Sequence, residues 1–315
     1  RSYAVIIDKG IRYCLTGNSG IYDEEASYVL LTDRTPTKQK LMDNEIKQRK
    51  WIKHPNQIEA SPDDVINSWE NRFHFKLEKN EAHPGLRRPQ LGALHALLSH
   101  MLAPTETATV VLPTGTSKTE TMMSALVAGR CNRVLVTVPT NALRGQLFNK
   151  FKTLGILKKA KFEIVDKEAL YPIVGVITSA FEGEDQLKSF IRQCNVVITT
   201  MQIIDHAPEE QQDVYVSSFS NVFVDEAHHI VATSWRKFSD RFPRHQLVQF
   251  TATPFRNDGQ RLDGKIIFNY PLRQAQKDGY YRTIHFLPVR EYGEEAIADK
   301  AIAEKAVEKL KDDQK

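Results

Sequence analysis

The sequence is short of the features that mark several protein classes. Its 315 residues hold three cysteines, Cys14, Cys131 and Cys194, set far apart with no CxxC pair. That spacing excludes a disulfide scaffold, and without a Cys/His cluster there is no zinc-site pattern. No apolar run approaches the roughly 18 residues a membrane helix requires; stretches such as Ala93–Leu98 and Tyr171–Thr178 fall well below it. No long apolar region follows Arg1-Ser2-Tyr3-Ala4, so no secretory signal is visible. The expected location is the cytoplasm, with no membrane partner. The chain also lacks an opening methionine, and we expect a piece of a longer protein. Nor does one sign of charge dominate: 43 Lys and Arg against 39 Asp and Glu give +4, compatible with a nucleic-acid partner but too weak to indicate one. With 41% hydrophobic and 26% charged residues, collagen-like and wholly disordered chains are excluded.

What is present falls into regions of different texture. Residues 1–35 mix short apolar runs (Tyr3–Ile7, Tyr28–Leu31) with the turn-forming Gly17-Asn18-Ser19-Gly20, which reads as a few strands. Residues 37–80 are polar, lysine-rich between 38 and 53, and read as helical. Ser61-Pro62-Asp63-Asp64 has the order of a helix start. From about residue 85, valine- and isoleucine-rich runs alternate with helical spacing. Strands are expected at Thr109–Leu112, Val134–Val138, Ile173–Thr178, Val196–Thr199, Val222–Val224 and Leu247–Phe250. Helices are expected at Lys118–Ala128, Asn141–Phe151 and Asp185–Gln193. This alternation argues for an α/β fold with a parallel sheet buried on both faces, whose ligands sit at the carboxyl ends of the strands.

The chemistry-bearing residues follow those strand ends. Pro113-Thr114-Gly115-Thr116-Ser117-Lys118-Thr119 follows the first strand and opens a helix. Such a loop aims backbone N–H groups and a helix N-terminus at one point, which suits phosphate. Lys118 would reach the β- and γ-phosphates and the Thr119 hydroxyl would hold Mg²⁺. Leu112 and Ser117 stand where the strict pattern has glycine, and alone the segment is also compatible with a strand–turn–helix carrying a surface lysine. Asp225-Glu226-Ala227-His228 follows Phe223-Val224; Asp225 suits a second Mg²⁺ contact and Glu226 a general base for water. The bland alternative there is two exposed acids in a loop. Thr251-Ala252-Thr253-Pro254 follows Leu247–Phe250.

Taken together, Pro113–Thr119, Asp225–His228 and Thr251–Pro254 resemble motifs I, II and III of superfamily 2 helicases in the DEAH form. Val138–Gln146 is similar to motif Ia, Val197–Gln202 to the later strand-binding motif, and Leu86-Arg87-Arg88-Pro89-Gln90 to the adenine-sensing segment. The run Val111–Gly115 and Phe255-Arg256 lean toward restriction-enzyme-like translocases. The resemblance covers about residues 85–275. It implies a first RecA-like lobe with helices on both faces of its sheet, preceded by a small α+β accessory segment over 1–84 and followed over 276–315 by a linker and the start of a second lobe.

The resemblance further implies ATP and Mg²⁺ as cofactors. Gln90, Thr114, Gly115, Thr116, Ser117, Lys118 and Thr119 would bind the nucleotide, and Thr119 and Asp225 the metal. Lys118, Asp225, Glu226 and His228 would be catalytic. Thr251 and Thr253 would couple hydrolysis to movement. Pro139, Thr140, Arg144 and Thr200 would follow a nucleic-acid backbone, DNA rather than RNA, without reading its bases. The implied activity is an ATP-dependent helicase or translocase, with a restriction or anti-phage setting and a nuclease or defence-complex partner as further expectations. Arg256, Arg261, Arg273, Arg282 and Arg290 do not form the arginine motif of a second lobe, so the chain alone is expected to bind ATP·Mg²⁺ weakly and turn it over slowly or not at all. The alternative is a RecA-like scaffold or nucleic-acid clamp without turnover, supported by the Cβ of Ser117 and by the lack of a second-lobe arginine motif. His95 and His100 read as packing or boundary residues. Trp51, Trp69 and Trp235 are candidate stacking residues with core packing as the alternative.

Overall fold

The computed structural model describes residues 3–8, 10–18, 20–32, 34–37, 39–40, 48–53, 60–103, 105–116, 118–229, 237, 240–255, 259–281 and 295–313. They divide into two compact units, 1–61 and 62–315. Ser117, Trp235, Arg256, Arg282 and Arg290 lie outside the described residues, as does the side chain of Trp51.

The first unit is a four-stranded sheet of β1 (Tyr3–Asp8), β2 (Ile11–Thr16), β3 (Tyr28–Thr32) and β4 (Gln48–Lys53), paired in that order. β2 and β3 run parallel while the outer pairs are antiparallel. β4 corrects the helical expectation for this lysine-rich stretch. Its Ile52 packs on the small core of Cys14, Ala26 and Val29, and pairing to β3 outweighs the weak local preference of the intervening polar residues.

The second unit begins ahead of residue 84, because residues 62–84 are built into it. Trp69 is 1% exposed, and its indole Nε1 donates to Leu170 O at 2.9 Å. That buried partner makes Trp69 a core residue rather than a stacking platform. Asn195 Nδ2 donates to Pro62 O at 2.8 Å, and Phe73 bridges Val165.

Its centre is a seven-stranded sheet of β5 (Ala108–Val111), β6 (Val134–Val138), β7 (Val174–Val176), β8 (Val196–Thr200), β9 (Asn221–Asp225), β10 (Leu247–Thr251) and β11 (Lys265–Asn269). The order across the sheet is β11-β5-β10-β9-β6-β8-β7, and every pairing is parallel. This is the α/β RecA-like arrangement. β11 is absent from the sequence expectations: it is a short strand with no alternation, entered through Gly264 at φ +99°.

Burial on both faces explains the unbroken apolar strands. Leu135, Val197, Val222, Val224 and Leu247 pack with residues of the helices Glu184–Arg192 and Glu209–Ser218. The opposite face carries the helices Arg88–Leu102, Lys118–Ala128 and Asn141–Phe151. Gly92 lets the first of these approach β11: a Cβ there would stand 2.8 Å from the Phe268 ring. On that helix His95 is exposed and stacks on Phe75 at 5.2 Å. No helix among the described residues is long and apolar enough to cross a membrane.

Candidate active site

The strand order places β5, β10 and β9 side by side, so three separate sequence motifs open on one edge. Val111 is level with Thr251, and Phe250 with Asp225. Leu112 N also donates to Thr251 O at 2.9 Å, fastening the start of the 113–119 loop to β10.

Lys118 opens its helix and is 7% exposed; its Nζ lies 2.9 Å from Glu226 Oε1. Glu226 holds φ at +50°, a left-handed conformation uncommon for a residue with a Cβ and frequent at functional turns. Its other oxygen is 3.4 Å from His228 Nδ1, which in turn is 3.0 Å from Thr251 Oγ1. Thr251 donates its single hydroxyl proton to Thr253 O at 2.7 Å, so His228 must be the donor through Nδ1–H. Lys118 and Glu226 thus form one contact and His228, Thr251 and Thr253 a hydrogen-bonded run beside it, with Glu226 Oε2 near His228 but accepting no hydrogen bond.

Asp225 ends β9 at 5% exposure. Burial first, and the neighbouring Glu226 charge second, push its carboxyl up to about 6 against the pull of Lys118. Its Oδ1 is buried with no hydrogen-bond partner in the structure. A hard cation would satisfy that oxygen, and Thr119 stands beside Lys118 to add a hydroxyl. Among the described residues no group of three His, Cys, Asp or Glu could hold a metal alone.

The 113–119 loop opens as a turn. Thr116 N donates to Pro113 O at 3.1 Å, its hydroxyl donates to the same carbonyl at 2.6 Å, and Gly115 supplies the positive φ of +82°. Thr114 and Gly115 are exposed and Thr116 is buried. Gln90 is buried, with Oε1 accepting from Arg87 N at 2.7 Å.

A second cluster lies at the ends of β6 and β8, where Val138 and Thr200 are level. Thr140 caps the following helix by accepting from Leu143 N at 3.3 Å. Arg144 Nη1 donates to Ile177 O at 3.3 Å, a carbonyl shared with the Thr199 hydroxyl. Pro139 precedes the cap, half-buried.

Residues without an assigned role in the sequence reading also converge here. Arg87 Nη1 donates to Gly115 O at 3.2 Å, Tyr280 lies under the Arg87 guanidinium, and Lys150 pairs with the buried Glu120 at 3.0 Å. Arg87 sits within the quoted Leu86–Gln90 segment; Tyr280 and Lys150 carry no sequence signal for their placement.

The family model for the type III restriction enzyme, res subunit, matches residues 83–256, more than half of the chain. The chain belongs to this family. A search of curated proteins gives no match. Among solved structures, this family member is similar to a nuclease-deletion mutant of the Type ISP restriction-modification enzyme LlaGI in complex with a DNA substrate mimic, with 19% identity and a TM-score of 0.44, over 62% of this chain and 20% of that one. It is similar to the UvsW helicase from bacteriophage T4, with 16% identity and a TM-score of 0.38, over 62% of each chain. A third is the Hef helicase domain of Pyrococcus furiosus, with 19% identity and a TM-score of 0.35, over 51% of this chain and 32% of that one. The chain spans less than two thirds of each of these structures.

Proposed function

We propose that this chain carries the first, nucleotide-binding lobe of an ATP-dependent DNA helicase or translocase. Residues 85–275 would carry the motifs of the lobe, with 62–84 built into the same compact unit, 1–61 an accessory unit, and 276–315 the lead into a second lobe. One observation carries the reading: Lys118, Asp225 and Glu226, from two different motifs, meet across β10 at the ends of β5 and β9, with Lys118 and Glu226 in direct contact. Membership of a restriction-enzyme family supports DNA over RNA, and supports a nuclease-linked defence setting.

In this reading Lys118 leaves Glu226 for the β- and γ-phosphates, with loop amides and the hydroxyls of Thr114 and Thr116 around them. Thr119 and Asp225 would hold Mg²⁺, which would supply positive charge to neutralise the phosphate oxygens. The freed Glu226 carboxylate orients the attacking water and accepts its proton. His228 lies between Glu226 and Thr251, so a change of charge at Glu226 would be felt electrostatically at the end of β10. Gln90 contacts adenine through its Nε2, since its Oε1 is already bonded to Arg87 N. Pro139, Thr140, Arg144 and Thr200 follow the backbone of one strand, using hydroxyls and one cation rather than bulk charge.

The strand-binding part is tested by fluorescence anisotropy with a labelled single-stranded oligonucleotide. Arg144→Ala is expected to weaken binding about tenfold, as loss of a charged hydrogen bond to phosphate does, and to leave affinity for an ATP analogue unchanged. Equal DNA affinity in both proteins would remove Arg144 from that surface.

A further inference from the structure

The Gly115–Thr116 peptide is held at both ends. Its N–H, on Thr116, donates to Pro113 O at 3.1 Å. Its C=O, on Gly115, accepts from Arg87 Nη1 at 3.2 Å. A trans peptide aims its N–H and C=O in opposite directions, so these two bonds fix one plane from opposite sides. The arrangement needs Gly115 at φ +82°, and the Tyr281 hydroxyl stands 3.2 Å from the point a Cβ on Gly115 would occupy. Arg87 is itself placed by neighbours. Its backbone N donates to Gln90 Oε1 at 2.7 Å, and its guanidinium lies 5.2 Å from the centre of the Tyr280 ring, within cation–π range.

A phosphate in this loop would be held by backbone N–H groups, yet the Thr116 N–H is already committed to Pro113 O. Offering it to a phosphate requires the Gly115–Thr116 peptide to rotate, and that rotation carries Gly115 O away from Arg87. Resting on the nucleotide reading above, the geometry points to Arg87 as a latch: its bond to Gly115 holds the phosphate loop in the self-bonded form, and a nucleoside triphosphate releases it. Because the same guanidinium lies on Tyr280, release is felt at the turn that follows the helix Leu272–Lys277. Arg87 acts on the loop from outside and is a positioning residue.

The test is stopped-flow binding of a fluorescent ATP analogue with Mg²⁺ to the whole chain. The variants are Arg87→Ala, Arg87→Lys, Tyr280→Leu and Lys118→Ala. Inorganic tripolyphosphate serves as a competitor that cannot report base contacts near Gln90. Arg87→Ala is expected to raise the association rate constant and tighten both ligands by about threefold to tenfold, the range for one lost hydrogen bond. Arg87→Lys should fall between it and the wild type, and Tyr280→Leu should give a smaller gain. A merely structural arginine would lower the melting temperature without tightening either ligand. Wild-type binding that depends on Lys118, combined with unchanged or weaker binding by folded Arg87→Ala, would overturn the latch alone. Absence of Lys118-dependent binding in every protein would overturn the nucleotide reading, and the latch with it.

Discussion

Lys118 Nζ lies 2.9 Å from Glu226 Oε1, joining the first turn of the helix after β5 to the residue that follows β9. Both side chains are largely withdrawn from water, at 7% and 19% exposure, so each charge depends on the other for its compensation. The two charges neutralise one another, and under the proposed function this pair is the resting state of the site.

Removing one partner should therefore cost more than removing both. Lys118→Ala leaves the Glu226 carboxylate partly buried without its cation and is expected to lower unfolding free energy by about 1–3 kcal/mol. The double variant Lys118→Met/Glu226→Gln is expected to recover much of that loss. Urea unfolding of the two proteins against wild type measures it.

Asp225 gives a pH dependence of known sign. Its folded carboxyl titrates at about 6, raised from 3.8 chiefly by burial, so between these values the folded state holds a proton that the unfolded state has lost. Stability then falls as pH rises from about 4 to about 6 and is level above that. Asp225→Asn is expected to stabilise the ligand-free protein by roughly 2 kcal/mol at pH 8, an advantage that shrinks as pH drops through 6 toward 4. Melting temperatures of both proteins across that range provide the check.

Much of the second unit was legible because its signals were local and repeated. Val134–Val138, rich in β-branched residues, is a strand over those residues; Lys118–Ala128 and Asn141–Phe151 likewise match their expected spans. The loops after β5, β9 and β10, singled out by their motifs, do lie together, because these strands are neighbours in the sheet. What stayed hidden depended on distant pairing. β4 is a strand because β3 lies beside it, and β11 because β5 does. The Arg87–Gly115 bond joins residues 28 apart in sequence, and nothing in the spacing of Arg87 to Gly115 or Tyr280 announces it.

Residues 62–84 carry weight in the second unit, and Trp69 shows how much. Its ring is buried and its indole N–H is satisfied by Leu170 O. Trp69→Ala combines a large cavity with a lost hydrogen bond and is expected to cost about 3–5 kcal/mol. Trp69→Phe should cost less. Denaturant unfolding followed by circular dichroism separates the two.

The most direct measurement is equilibrium binding of a fluorescent ATP analogue with Mg²⁺ to the wild-type chain and to Lys118→Ala, with each protein first shown to be folded. Saturable wild-type binding that requires Mg²⁺ and weakens about tenfold or more in Lys118→Ala, as loss of a charged hydrogen bond to phosphate demands, is the expected result. Equal affinity in the two proteins, or binding indifferent to Mg²⁺, would contradict the assignment of this strand edge as a nucleotide site.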